Sequence, residues 1–240
     1  MNQYIKFFSI ALLLLMTVTL SSCAELEKLR SEINNNGSGL SQKDIAAGLK
    51  EALRVGSETV VKNLGRYNGF NKDKVAHIVL PKNLNKVRKT LKKIGYSQQL
   101  DDLELKLNRA AEKATPKAKA LFINAIKQLT WQDVKQIYNG PDDAATRYFQ
   151  SRMTPPLKQE MKPVINSALA QSGAIKSYER IMDKYHSLPF VPDVRADLTQ
   201  YTIDKTLNAI FYYLAQEEAA IRKEPAKRTT ELLKRVFGYH

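Results

Sequence analysis

The stretch Ser97-Gln98-Gln99-Leu100-Asp101-Asp102-Leu103-Glu104-Leu105-Lys106-Leu107-Asn108-Arg109-Ala110-Ala111-Glu112-Lys113-Ala114 decides the fold class. Leu100, Leu103, Leu107, Ala111 and Ala114 recur every three or four residues, which places them on one face of an α-helix. Leu105, Asn108 and Glu112 fall on another face, with Asn108 and Glu112 one turn apart. Apolar residues on two faces predict a central helix with neighbours on both sides. Asn108 and Glu112 are then partly buried and need partners.

Outward from this helix the punctuation stays helical. Ser41-Gln42-Lys43-Asp44 has the form of a capping box and opens an apolar-periodic run through Leu64, with Gly65 as its stop. A basic helix is expected over 82–94, ending at Gly95, and another from Thr115-Pro116 to Leu129. Thr130 caps a short helix to Tyr138, and Asn139-Gly140 stops it. Next come a helix over 142–152, a separate one opened by Thr154-Pro155-Pro156 and strained at Pro163, and one over 174–187. A Pro-containing loop leads to the longest helix, 197–223, and a last helix covers 228–237. Only Ile78-Val79-Leu80-Pro81 reads as extended, since proline disfavours helix in the residue before it. The fold class is all-α, a compact bundle of roughly eight to ten helices with short Pro/Gly-punctuated loops.

The N-terminal end has a different character. Lys6 precedes an apolar run from Phe7 to Leu20, shorter than the roughly 20 residues a membrane span needs. It reads as a secretory signal segment, residues 1–22, and Leu20-Ser21-Ser22-Cys23 has the form of a bacterial lipobox. Acylation of Cys23 would anchor the chain. Residues 23–40 then form a tether, rich in Asn, Gly and Ser, and 41–240 a single helical domain. Cys23 is the only cysteine, so the domain has no disulfide and no thiol chemistry. Ala24 beside it, rather than Asp, resembles anchors sorted to the periplasmic face of the outer membrane. The formal charge is +14, and the signal segment holds one lysine of that excess and no acid. Such a balance suits anionic lipid, lipopolysaccharide or an acidic envelope protein, and nucleic acid is not expected outside the cytoplasm.

Catalytic signatures are missing: the chain has no G-x-S-x-G, no H-E-x-x-H and no phosphate-binding glycine loop. Its histidines are His77, His186 and His240, too scattered for a triad or a metal site, and no cofactor is expected. Two groups of residues stand out. Leu84, Val87, Leu91 and Ile94 make an apolar stripe on the basic helix, and Lys82, Lys86, Lys89 and Lys93 a cationic one. That helix either lies on an anionic surface or turns its leucines to the core and its lysines to water. In the longest helix, Glu217 and Glu218 sit at the edges of the stripe Ile203, Leu207, Ile210, Leu214 and Ile221. Glu218 precedes Arg222 by four residues, the favourable order for an ion pair. Arg109, Arg222 and Arg228 are the cations available to Glu112, Glu217 and Glu218, and with Asn108 they define a candidate polar cluster. The cluster is either a tie between helices or a ligand site.

Several of these stretches together resemble the bacterial domain of unknown function 4197 family. They are Gly48-Leu49-Lys50-Glu51-Ala52-Leu53, Leu107-Asn108-Arg109-Ala110-Ala111-Glu112, Ala144-Ala145-Thr146-Arg147-Tyr148-Phe149, and Glu217-Glu218 through Ile221-Arg222 to Arg228-Thr229-Thr230-Glu231 and Val236-Phe237-Gly238. The resemblance runs from about Leu40 to Gly238, with Leu129-Thr130 where the family has Met-Thr. It implies an exported Gram-negative envelope protein and supplies no catalytic residue. The expected function is a non-enzymatic, membrane-tethered module that binds an envelope partner or an acidic or lipidic ligand. The alternative is an enzyme acting on an envelope substrate through the carboxylate and arginine cluster.

Overall fold

The computed structural model describes residues 40–238. Cys23, the segment before it, the tether up to residue 39 and His240 lie outside the described residues. Among those described, every regular element is a helix: α1 (Gln42–Gly65), α2 (Lys82–Lys92), α3 (Ser97–Ala114), α4 (Ala118–Lys127), α5 (Trp131–Tyr138), α6 (Ala144–Gln171), α7 (Ala174–His186), α8 (Leu198–Lys223) and α9 (Glu231–Phe237). Short 3-10 turns, Thr115–Lys117 and Pro225–Lys227, precede α4 and α9. The chain divides at Asp44, and the helices from Ile45 onward form one compact unit.

The α3 helix stands at the centre, packed against α2, α6, α7 and α8. Leu100, Leu103, Leu107, Ala111 and Ala114 are completely buried, as their spacing predicts. Leu105 departs from the expected second apolar face: it is 37% exposed, and the second face is polar. The broadest pairing is α6 against α8. Phe149 of α6 and Phe211 of α8 both meet Phe122 of α4 edge-on, at centroid distances of 6.0 and 6.3 Å, a geometry aromatic quadrupoles favour.

The expected break at Pro155-Pro156 does not occur: α6 runs unbroken through Pro155, Pro156 and Pro163. The physical reason lies in which face carries the prolines. All three are exposed, and so are Ser151, Arg152 and Gln159, whose carbonyls lose their amide partners four residues on. On an exposed face such carbonyls can turn to solvent instead. On the opposite face Phe149, Met153, Leu157, Met161, Ile165 and Leu169 stay buried in register, so packing holds the axis.

Helix ends follow their chemistry more closely. Thr130 and Asp133 form a reciprocal capping box on α5, and Asp197 accepts from the Gln200 amide at 2.9 Å to open α8. Gly95 takes a left-handed φ of 79° just after α2, where a side chain would be strained. The last helix starts at Glu231, three residues later than expected, because Thr230 rather than Arg228 supplies its cap.

The first and last helices of the unit meet. A Cβ built on Gly48 would lie 2.7 Å from Val236 Cβ, so only glycine admits α9 to this face of α1. Gly48→Ala gains about 1 kcal/mol of helix propensity. It should nonetheless cost about 1–3 kcal/mol by overpacking. Urea unfolding should show a lower midpoint for Gly48→Ala, and Val236→Ala in the same chain should recover part of that loss, a non-additivity diagnostic of direct contact.

Candidate functional site

One polar row, buried at Asn108 and Glu112 and half-buried at Glu104, runs along α3. Glu104, Asn108 and Glu112 occupy successive turns, and each binds the backbone of the irregular segment 66–81. Glu112 Oε1 accepts from the Phe70 and Asn71 amides, both at 3.1 Å. Asn108 accepts from the Ile78 amide at 2.8 Å and donates to the Ile78 carbonyl at 2.9 Å, as a neighbouring strand would. Glu104 accepts from the Leu80 amide, His77 Nε2 and Arg88 Nη2, each at 3.0 Å. Arg109 completes the row. Its fork donates to Glu112 Oε2 at 2.6 Å and to Asn68 Oδ1 at 2.8 Å, while its plane stacks 3.8 Å over the Tyr67 ring. This holds Asn68 in a left-handed conformation, φ 64°. The sequence singles out Asn108, Arg109 and Glu112 but misses Glu104, although its spacing of four from Asn108 carries the signal.

A second, separate group belongs to α8. Buried Glu218 accepts from the Ala145 and Thr146 amides and the Thr146 hydroxyl, all at 2.9 Å, and so caps the start of α6. Arg222 donates to the Ile137 carbonyl at 2.8 Å and the Tyr138 carbonyl at 3.2 Å, which caps the end of α5, and pairs with Glu218 at 3.1 Å. The α5–α6 junction is thus clasped at both ends. Arg228 corrects the expectation of an acidic partner: its buried guanidinium donates to the carbonyls of Ile221 and Arg222 and closes the end of α8. No hydrogen bond or ion pair joins this group to the α3 row among the described residues, so the predicted single cluster is two.

Glu217 belongs to neither group. It lies 3.6 Å from Lys227 and lines an open groove of about 500 Å³ with Asn63, Arg66, Lys72 and Tyr213. There Asp73 is engaged by the Val75 and Ala76 amides and by the Tyr213 hydroxyl at 2.7 Å. Burial, with that hydrogen bond to a carboxylate, pushes the Tyr213 hydroxyl up to about 12.

The basic helix α2 buries Leu84, Val87 and Leu91 completely, while Ile94 lies beyond its end and is 47% exposed, outside the predicted stripe. Arg88 turns inward to Asp101 and Glu104. Lys82, Lys86, Lys89 and Lys93 are all exposed, and none makes an ion pair among the described residues. Among the described residues no group of three or more His, Cys, Asp or Glu side chains is placed to hold a metal ion. No described helix is long and apolar enough to cross a membrane.

Chemically, both polar groups are anchors, and two outcomes test this. Glu218→Ala leaves Arg222 and two helix-start amides buried without their partner, and should cost about 3–5 kcal/mol in urea unfolding, with Glu218→Gln losing less. Glu104 tests the pH dependence. Burial pushes its carboxyl up, but the hydrogen bond from His77, the Leu80 amide and Arg88 outweigh this and hold it below its ordinary value of 4.5. The stability it contributes is therefore full above that ordinary value and is lost as pH falls through the lowered one. The urea midpoint of Glu104→Gln should change less than that of the native chain as pH falls below 4.5.

Comparison with known proteins places this architecture. No curated protein and no solved structure matches the chain. A family model does, over residues 39–238, which takes in the α3 row, the α5–α6 clasp and the terminal helix. The chain therefore belongs to the family described as protein of unknown function (DUF4197).

Proposed function

We propose that the protein is an exported envelope lipoprotein, held by an acylated Cys23 at the periplasmic face of the outer membrane, whose helical domain is a non-enzymatic module binding an acidic or lipidic partner. One observation carries the reading of the domain. Lys82, Lys86 and Lys89 on α2, with Lys93 just past its end, present four exposed cations outside any ion pair among the described residues, while the apolar stripe of the helix is already used by the core. Exposed lysines are commonly solvated, but a row of this kind on a tethered domain suits a surface of negative charge. Each such lysine near an anionic bilayer contributes about 1 kcal/mol, within a screening distance of about 8–10 Å at physiological salt. Since the leucines point inward, α2 does not sink into lipid; its contact is electrostatic. The enzymatic alternative has less support. Of the acids it would use, Glu112 is committed to the Phe70 and Asn71 amides and to Arg109, as Glu218 is to the start of α6, which leaves Glu217, in the open groove 3.6 Å from Lys227, as the one acid on which that alternative rests.

Two measurements test the proposal. Cys23→Ser should abolish incorporation of labelled palmitate and release the protein from membranes; persistent labelling would remove the anchor. A soluble chain beginning at Ser38 should co-sediment with phosphatidylglycerol vesicles in a salt-dependent manner. Replacing Lys82, Lys86, Lys89 and Lys93 with Gln should weaken that binding about tenfold or more. Unchanged binding would return these lysines to a merely solvated face.

A further inference from the structure

The groove lined by α1, segment 66–73 and α8 has an aromatic side chain that the rest of the structure holds in place. Tyr67 lines it and is 76% exposed. Arg109 stacks 3.8 Å over that ring, and the same guanidinium is fixed by Glu112 and by Asn68, the next residue along. Arg109 does not itself line the groove, so it braces the ring from outside. Exposure alone would mean little. Phe190, in the loop between α7 and α8, is 105% exposed, and no ring or cation–π contact steadies it among the described residues. Tyr67 differs because a buried network has already ordered it, the condition under which an exposed ring becomes a binding platform.

The polar lining is mixed in sign. Arg66 and Lys72 are exposed, and neither side chain makes an ion pair or hydrogen bond among the described residues. Against these two cations stand two carboxylates. Glu217 has Lys227 at 3.6 Å as its ion-pair partner. Asp73 takes the Val75 and Ala76 amides and the Tyr213 hydroxyl all on Oδ1, so its Oδ2 accepts no hydrogen bond among the described residues. Asn63 adds an exposed amide that both donates and accepts.

Such a lining has no net sign. A strongly anionic ligand would meet Glu217 and Asp73, a cationic one Arg66 and Lys72, and an alkyl chain would strip water from all four. A planar heterocycle would stack on Tyr67, but its few edge groups would leave most of those charges without a partner. What suits the groove is uncharged, carries groups that each donate and accept, and has an apolar face for the ring. A pyranose is such a molecule. Its hydroxyls do both, and the C–H hydrogens of one face meet the negative face of an aromatic ring. A volume of about 500 Å³ admits a short oligosaccharide and lies in the range of small-molecule sites.

We infer that this groove is a binding site for a neutral oligosaccharide. Tyr67 is its stacking platform, Arg66, Lys72 and Asn63 donate to the sugar hydroxyls, and Glu217 and Asp73 Oδ2 accept from them. No residue of α2 lines the groove, so the site stands or falls independently of the contact proposed for that helix.

The experiment uses the full chain in phosphatidylcholine nanodiscs and saturation-transfer NMR, with empty nanodiscs as the blank. The probes are maltotriose, cellotriose, mannotriose and the β-1,4-linked trimer of N-acetylglucosamine, each at about 5 mM, where weak sites fill. At least one should receive magnetisation from the protein, most strongly on its ring C–H protons. Tyr67→Ala should raise the Kd for that probe about tenfold or more, while Tyr67→Phe, which keeps the ring and its contact with Arg109, should stay within about threefold. Glu217→Gln should weaken binding about threefold to tenfold without touching the platform. Phe190→Ala, which removes an exposed ring outside the groove, should leave the Kd unchanged. Tyr67 is largely exposed, so Tyr67→Ala should keep the native circular dichroism spectrum, which separates lost binding from lost fold. No transfer to any of the probes, or transfer that both Tyr67→Ala and Glu217→Gln leave unchanged, would overturn the inference.

Discussion

Backbone that is neither helix nor strand can be buried only where something else satisfies its amides and carbonyls. Segment 66–81 is that case: Phe70, Ala76, Ile78 and Leu80 are core residues on irregular backbone. Glu104, Asn108 and Glu112 meet the requirement from α3. Tyr213 and Tyr201 reinforce it from α8, through Asp73 and the Val79 carbonyl. The central position of α3 follows from this double duty. One face packs leucines against its neighbours, and the other serves as a template for chain that has no ladder of its own. Pro81 then sets the start of α2, so the orientation of the lysine face is inherited from the same row.

A related economy governs α8. A carboxylate suits the start of a helix and a guanidinium suits the end of one, since these are where amides and carbonyls are left over. Glu218 and Arg222, one turn apart, meet both needs at a single junction, and Arg228 folds back on the end of α8 itself. Burying such charges is unfavourable unless each finds several partners. Here the partners are main-chain groups, so the ion pair of Glu218 with Arg222 is the lesser part of what each residue does.

Much of the fold was legible because local chemistry and packing agree. Ser41 and Thr130 read as caps and are caps, and the five apolar residues that mark the core face of α3 are all buried. Pro155-Pro156 misled because proline signals a break only when packing does not resist it; the sequence contains the prolines but not the direction they face. Polarity on α3 was visible at Asn108 and Glu112, and their partners were not, since residues 66–81 have no periodicity to place them. Arg228 looked like a partner for an acid because charge is easily read and carbonyl geometry is not. The exposure of Phe190 is a property of tertiary structure alone, for a Leu-Pro-Phe-Val-Pro run could as readily have turned inward.

The notch at Gly48 that receives Val236 has a consequence for how the molecule is assembled. It is a contact between residues separated by almost the whole length of the domain, and closing so long a loop is entropically slow. Helices such as α3 and α6 can associate while the chain is still emerging, but the groove on α1 waits for the final turn of sequence. Tyr138 waits with it, since its hydroxyl bonds the Val236 carbonyl at 3.2 Å and its ring lies 6.1 Å from that of Phe237. The α1–α9 contact is thus of the long-range kind that forms late, after the helices between its two partners have packed locally.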